Sequence, residues 1–296
     1  MAKEISKYIE RKLHSPINAA KQTLGGYALD LAATYLSWSG DRKLKPQGEP
    51  FLTETLALIK KGERPSIDLL AKILSGFNLP EISDDLRERL EGLKNQSFVL
   101  IGNHPKNVPI AFSPTIVVWD LIHKTLGKDV YFIQSKGNFV THVVHDMTAR
   151  ALPVIQIDTK KPFKMGVQIS RAVRRKQILG LYPEGKNKNN LVEAKPEAGD
   201  FLYFMAGLGI PTLPVAVWFE PETDNIGLNV GRLIAPDEIK EMRDPQNPAE
   251  LIHSVMQNHV APLLPPEQQG FYSNGNEPKG SFRNLITIFD RNHKQQ

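Results

Sequence analysis

The chain has no cysteine among its 296 residues, which removes disulfides, thiolate metal sites and a cysteine nucleophile from the possible chemistry. It also lacks any run of about eighteen apolar residues free of charge, so a spanning helix is not expected. The N-terminus alternates Lys3, Glu4, Lys7, Glu10, Arg11 and Lys12 with apolar residues, a pattern unlike a secretory signal. The net charge is small as well. The 37 Lys and Arg exceed the 32 Asp and Glu by a formal +5, a mild bias towards acidic partners such as phosphorylated metabolites or anionic lipid surfaces. The one compact basic cluster, Arg171, Arg174, Arg175 and Lys176, has no aromatic residues interleaved with it. It therefore reads as a solvated helix face, and nucleic acid is not an expected partner. No internal repeat is present. A chain without cysteine leaves the redox compartment unreadable; the expected location is cytoplasmic, with peripheral contact at a membrane surface left open.

What is present suits a globular chain, because 41% hydrophobic and 23% charged residues over this length can build a full-sized core. From about residue 5 to 92 the apolar positions recur at helical spacing: Ile5, Tyr8, Ile9 and Leu13, then Leu52, Leu56 and Ile59, then Ile67, Leu70, Ala71 and Leu74. Asp41 to Pro50 reads as a linker. Ser66 and Ser83 are predicted helix N-caps, and Gly62, Gly76 and Gly92 predicted stops. At residue 97 the period changes. Short β-rich runs at Phe98 to Ile101, Val130 to Ile133, Val154 to Ile157, Ile178 to Tyr182 and Leu213 to Phe219 alternate with helix-period stretches at 113–126, 163–176 and 197–208. That alternation predicts an α/β fold, a mostly parallel sheet covered by helices, behind a helical N-terminal region. Further helices are expected near 236–243 and 247–262. The predicted organisation is 1–96 helical, 97–262 α/β, and 263–296 a loosely structured tail in which Leu285 to Phe289 docks locally.

Three short segments carry the chemistry. Asn103-His104-Pro105 follows one apolar run, Tyr182-Pro183-Glu184-Gly185 follows another, and Gly209-Ile210-Pro211-Thr212-Leu213-Pro214 leads into a third. Polar residues at strand ends in an open α/β sheet can converge on one pocket. His104 sits in a stiff, non-helical turn made by Gly102 and Pro105, and imidazole is the side chain best matched to proton transfer near neutral pH. Glu184 lies in a turn fixed by Pro183 and Gly185, with Lys186 and Lys188 beyond it. A carboxylate there can orient a hydroxyl or pair with a base, and the lysines can meet a phosphate. Singly, each motif also fits a structural histidine or a surface turn.

Taken together, the segments resemble the glycerolipid acyltransferases, the glycerol-3-phosphate and 1-acylglycerol-3-phosphate acyltransferase family. Asn103-His104-Pro105-Lys106-Asn107-Val108 matches the opening of its first motif, Asn-His followed by four residues and Asp. Tyr182-Pro183-Glu184-Gly185-Lys186 is similar to its third motif, and Ile210-Pro211-Thr212-Leu213-Pro214-Val215 to its fourth. Between motifs one and three, Gly137-Asn138-Phe139 through Leu152-Pro153-Val154-Ile155 has the form of the second motif, and Ala194-Lys195-Pro196 through Gly209 is similar to the helix before the fourth. The resemblance spans about 97 to 262.

It implies transfer of a fatty acyl group from an acyl thioester, on coenzyme A or acyl carrier protein, to a hydroxyl of a glycerol phosphate or lysophospholipid. His104 would be the general base, and Glu184 and Gly185 would help bind the acceptor, with Lys186 and Lys188 as phosphate contacts. Asn103, Lys106 and Pro211 complete the implied substrate-binding set. No metal, bound cofactor or covalent enzyme intermediate is implied. The family's motif-one Asp, five residues after the histidine, is replaced by Pro109, so a partner carboxylate would come from elsewhere. Asp146, beside His145, is the first candidate, with Asp120 and Asp158 behind it. The family's arginine after the second-motif strand has no plain match, and Asp158-Thr159-Lys160-Lys161 offers lysines in its place.

Long acyl chains require contact with insoluble substrate, and the first helix, with Ile5, Tyr8, Ile9 and Leu13 beside Lys7, Arg11 and Lys12, suits an interface as well as ordinary core packing. Two other readings stay open at this point: a non-catalytic lipid- or acyl-binding relative of the same fold, and a basic membrane-docking adaptor.

Overall fold

Serine hydroxyls start two of the helices. The Ser66 side chain accepts from the Leu69 N–H and that of Ser83 from the Leu86 N–H, each at 3.2 Å, as N-caps do for otherwise unpaired amides. The computed structural model describes residues 44–105, 113–135, 152–157, 162–185, 190–220, 222–244 and 247–273. In chain order these form α1 (Glu49–Lys61), α2 (Ile67–Lys72), α3 (Asp84–Glu91), β1 (Val99–Gly102), α4 (Ser113–Leu126), β2 (Val130–Ser135), β3 (Val154–Ile157), α5 (Pro162–Arg174), β4 (Ile178–Leu181), α6 (Pro196–Gly207), β5 (Thr212–Glu220), β6 (Asn225–Val230), α7 (Pro236–Glu241) and α8 (Pro248–Val255). The α/β class expected from the alternating pattern is the one observed, with mostly parallel strands. Among the described residues no helix is long and apolar enough to cross a membrane. The N-terminal stripe of Ile5 to Leu13 and the Leu285 to Phe289 run lie outside the described residues.

The chain divides into two compact units. The first comprises residues 1–78 and 108–171. Here α1 ends at Gly62, whose φ of 80° is the left-handed cap that glycine takes without strain. Helix α2 packs on α1 and on α4, and α4 packs on β2, which runs parallel to β3. Helix α4 is buried over most of its length, from Ser113 to Ile122, which accounts for its nearly unbroken apolar sequence.

The second unit comprises residues 79–107 and 172–296. Helix α3, which periodicity alone assigns to the N-terminal region, falls here, and its Arg89 Nη2 donates to the Gly231 carbonyl at 2.9 Å. Strand β1 is flanked by β4 and β5, both parallel to it, and β5 continues into antiparallel β6. The core strands Val99–Gly102 and Ile178–Leu181 are short, apolar and covered on both faces, as parallel strands beneath helices are. Helix α6 packs against α7 and α8. All three of these helices open with proline at the first turn, where the missing N–H loses nothing.

Two elements differ from expectation. Strand β6 has no β-rich sequence; its Gly227 faces Trp218 across the β5–β6 ladder, and a Cβ there would collide with the indole ring. Glycine is what lets the ring lie flat on the strand, and glycine is also what hides the strand from a propensity reading. Residues 263–273, whose composition predicts a loose tail, instead form successive 3₁₀ turns with Tyr272 only 4% exposed.

Gly102 closes β1 opposite Val215, and a Cβ on it would lie 2.9 Å from both the Val215 carbonyl oxygen and its Cγ2. Gly102→Ala is therefore expected to lower unfolding free energy by about 1–3 kcal/mol, the range for overpacking a close-packed site. Urea denaturation measures it, and an unchanged midpoint would show that the strand end yields without cost.

Candidate active site

Strands β1 and β4 run side by side in the same direction, with Ile101 level with Leu181, so the segments that follow them leave the same edge of the sheet. This brings Asn103-His104 and Tyr182–Gly185 together. Past Gly102 the ladder between β1 and β5 is continued by a side chain. The Asn103 amide donates to the Val217 carbonyl at 2.7 Å and accepts from the Val217 N–H at 2.8 Å. Both partners are buried, so the amide satisfies two main-chain groups that no water reaches. Asn103 is thus engaged with the backbone of β5.

Glu184 is the centre of the arrangement. The tight turn after β4 is closed by the Gly185 N–H donating to the Tyr182 carbonyl at 3.2 Å, and Gly185 adopts φ 64°. The Lys195 side chain lies across Gly185, with Nζ 2.5 Å from where a Cβ would be, so the left-handed backbone and the close approach both call for glycine. The carboxylate turns inward and is 2% exposed. Its Oε2 accepts from the His104 backbone N–H and its Oε1 from the Val192 N–H, each at 2.9 Å. Burial raises its pKa to about 7, against the opposing pull of those two donors.

His104 follows Asn103 in a half-buried position, its ring edge-on to Tyr182 with centroids 4.8 Å apart. Nδ1 is closed off from water and has no hydrogen-bond partner among the described residues. Burial lowers the imidazole pKa to about 4, so the ring is neutral at pH 7 and a lone pair is available to accept a proton.

Of the other residues singled out from the sequence, Pro211 and Asp120 are described and lie elsewhere. Pro211 immediately precedes β5, and its carbonyl accepts from the Val99 N–H at the opposite, amino end of the parallel strands. From that level to Asn103 is five residues of strand, about 16 Å at about 3.3 Å per residue. A residue before a parallel strand cannot share an edge with residues after its neighbours, so Pro211 does not join the cluster. Lys106, Asp146, Lys186 and Lys188 lie outside the described residues, as do Pro109 and Asp158. Asp120 is on α4 in the first unit, where Lys124 Nζ pairs with it at 2.6 Å. The basic residues Arg171, Arg174, Arg175 and Lys176 are exposed, as a solvated face should be. Sequence reading did not single out Val192, because a backbone N–H leaves no motif, and it took Tyr182 as the first residue of the third motif without foreseeing its edge contact with the His104 ring. It took Lys195 only as part of the stretch before motif four. Among the described residues no group of three metal-binding side chains occurs.

The two shifted groups act on stability in opposite directions. The unfolded chain protonates His104 near 6.5 and the folded chain only near 4, so its contribution is present above 6.5 and is lost as pH falls to 4. Glu184, whose pKa rises from 4.5 to about 7 on folding, contributes fully below 4.5 and loses that contribution as pH rises through 7. His104→Ala removes only the first effect. Its unfolding free energy should therefore gain on wild type as pH is lowered from 6.5 to 4, which urea midpoints across that range will measure. A constant difference would mean that the folded histidine titrates normally.

No curated protein matches the chain. Residues 81–218, which include β1, β4, most of β5 and all of the His104–Glu184 cluster, match the family model described as Acyltransferase, and this part of the chain is accordingly similar to proteins that transfer acyl groups.

Proposed function

We propose that the chain is an O-acyltransferase that moves a fatty acyl group from a thioester, on coenzyme A or acyl carrier protein, to a hydroxyl of a glycerol phosphate or lysophospholipid. The observation that carries this reading is a neutral, half-buried His104 at the carboxyl edge of the sheet, its main chain held by a buried glutamate, inside a segment that matches the Acyltransferase family. In the reaction the His104 ring accepts the proton of the acceptor hydroxyl as that oxygen attacks the thioester carbonyl. The C–S bond breaks as the tetrahedral intermediate collapses, and the thiolate takes the proton back from the His104 imidazolium to leave as free thiol, which returns the ring to its neutral form. Proton transfer by a positioned base supports about 10²–10⁴-fold of rate. Lys186 and Lys188, next to the Glu184 turn in sequence, are the proposed contacts for the acceptor phosphate.

A second reading has its own support. Pro109 stands where a carboxylate would hold the imidazole, Nδ1 has no partner among the described residues, and a base with a pKa near 4 is weak. These features favour a relative that binds acyl ligand without turning it over.

His104→Ala is expected to lower kcat/KM by about 10²–10⁴-fold, read as thiol release from acyl-coenzyme A in the presence of lysophosphatidate or glycerol 3-phosphate. Wild-type protein that binds the acyl thioester yet releases no thiol with either acceptor would establish the binder instead.

A further inference from the structure

Beyond the matched segment the chain returns to the site. Pro266–Gln268 and Gly270–Tyr272 form consecutive 3₁₀ turns laid along residues 191–194. The Leu191 N–H donates to the Gln268 carbonyl at 3.0 Å, and the Phe271 N–H donates to the Leu191 carbonyl at 2.9 Å. Gly270, at φ 49°, passes so close to Leu191 that a Cβ would overlap its carbonyl oxygen. The Ala194 N–H donates to the Tyr272 hydroxyl at 2.9 Å. Leu191, Ala194 and Tyr272 are all buried, so these contacts exclude water and hold one geometry.

Helix α8 backs the turns from behind. The His253 ring meets Phe271 and Tyr272 edge-on, with centroids 5.8 and 6.0 Å away, and the two aromatic rings meet each other at 5.0 Å. His253 Nε2 lies 3.7 Å from Glu193 Oε1 in the strapped segment. Within that segment sits Val192, whose N–H holds one oxygen of Glu184 while the other holds His104.

We infer that Tyr272 is a positioning residue for the His104 site: its hydroxyl fixes Ala194 and so the Val192 N–H, which fixes Glu184, which fixes the main chain of His104. The phenol suits this task. Burial pushes it up to about 12, so it stays neutral and its oxygen remains an acceptor for the amide while keeping a proton of its own. Tyr272 lies outside residues 81–218, so the inference extends the site into a part of the chain that the family match does not cover. Only the kinetic arm of the test rests on the acyltransferase reading.

Tyr272→Phe keeps the ring and removes the acceptor. The first readout is the His104 backbone amide resonance followed against pH, which reports the titration of Glu184 near pH 7. Weakening the Val192 bond removes a contact that lowers the Glu184 pKa, so the inflexion should move upward. Gly270→Ala, which drives the turns off the Leu191 carbonyl by a different route, should move it the same way. An inflexion that stays in place in both folded variants overturns the inference, whether or not the protein transfers acyl groups. In the thiol-release assay, Tyr272→Phe should lower kcat by about tenfold, within the range that misplacing a reacting group produces, with KM for the thioester changed by less than about twofold. A rise in KM alone would make Tyr272 a binding contact and overturn the positioning role. A wild-type protein without turnover would count against the acyltransferase reading alone, and the titration would still decide the role of Tyr272.

Discussion

A buried carboxylate stands between two main-chain amides that belong to different parts of the chain. Glu184 takes the N–H of His104, eighty residues before it, and that of Val192, eight residues after it. Removing a carboxylate from water is costly, and the two donors are what make its charged form tolerable there. The balance is close, because a pKa near 7 leaves the group divided between charged and neutral forms in the neutral range. Once protonated, the oxygen that carries the proton becomes a poorer acceptor for the amide it faces, so one of the two bridges weakens. The placement of the His104 backbone is therefore tied to the charge on a residue that never touches its ring.

This arrangement fixes the histidine by its main chain and leaves its ring comparatively free. Edge contact with Tyr182 limits the ring's rotation, but among the described residues nothing accepts from or donates to Nδ1. Under the proposed chemistry, the imidazolium formed on taking a proton draws on surroundings other than Glu184, whose oxygens already face backbone. A weak base also has a compensating property: it is fully deprotonated at pH 7, so no fraction of the protein waits in the wrong protonation state.

Much of this architecture was legible from the residues. Apolar runs such as Val99 to Ile101 and Ile178 to Leu181 read as strands because they are covered on both sides, and Ser66 and Ser83 read as caps because a hydroxyl is the group a helix start needs. The meeting of His104 with Glu184 followed from two motifs after parallel strands. What the residues hid is how the two meet. Val192 contributes only its N–H, which any non-proline residue possesses, so no side-chain pattern marks it. Strand β6 was hidden by Gly227, required by the Trp218 ring rather than by the strand. The placement of Pro211 depends on strand direction, which a local motif does not encode. The turns at 266–272 were hidden because a proline- and glutamine-rich stretch gains its order from contacts with residues nearly eighty positions earlier.

The Asn103 amide has a consequence for how the Asn-His pair is interpreted. By taking both polar groups of Val217, it acts as a surrogate peptide, letting the chain depart from the sheet one residue early without stranding the neighbouring strand. Aspartate lacks the donor, glutamine is a methylene too long, and apolar residues offer neither group. Architecture is by itself enough to constrain position 103, and an asparagine would persist there through evolutionary drift even in a descendant that had lost all turnover. The histidine that follows it, and not the asparagine, is the residue whose retention would record selection for chemistry.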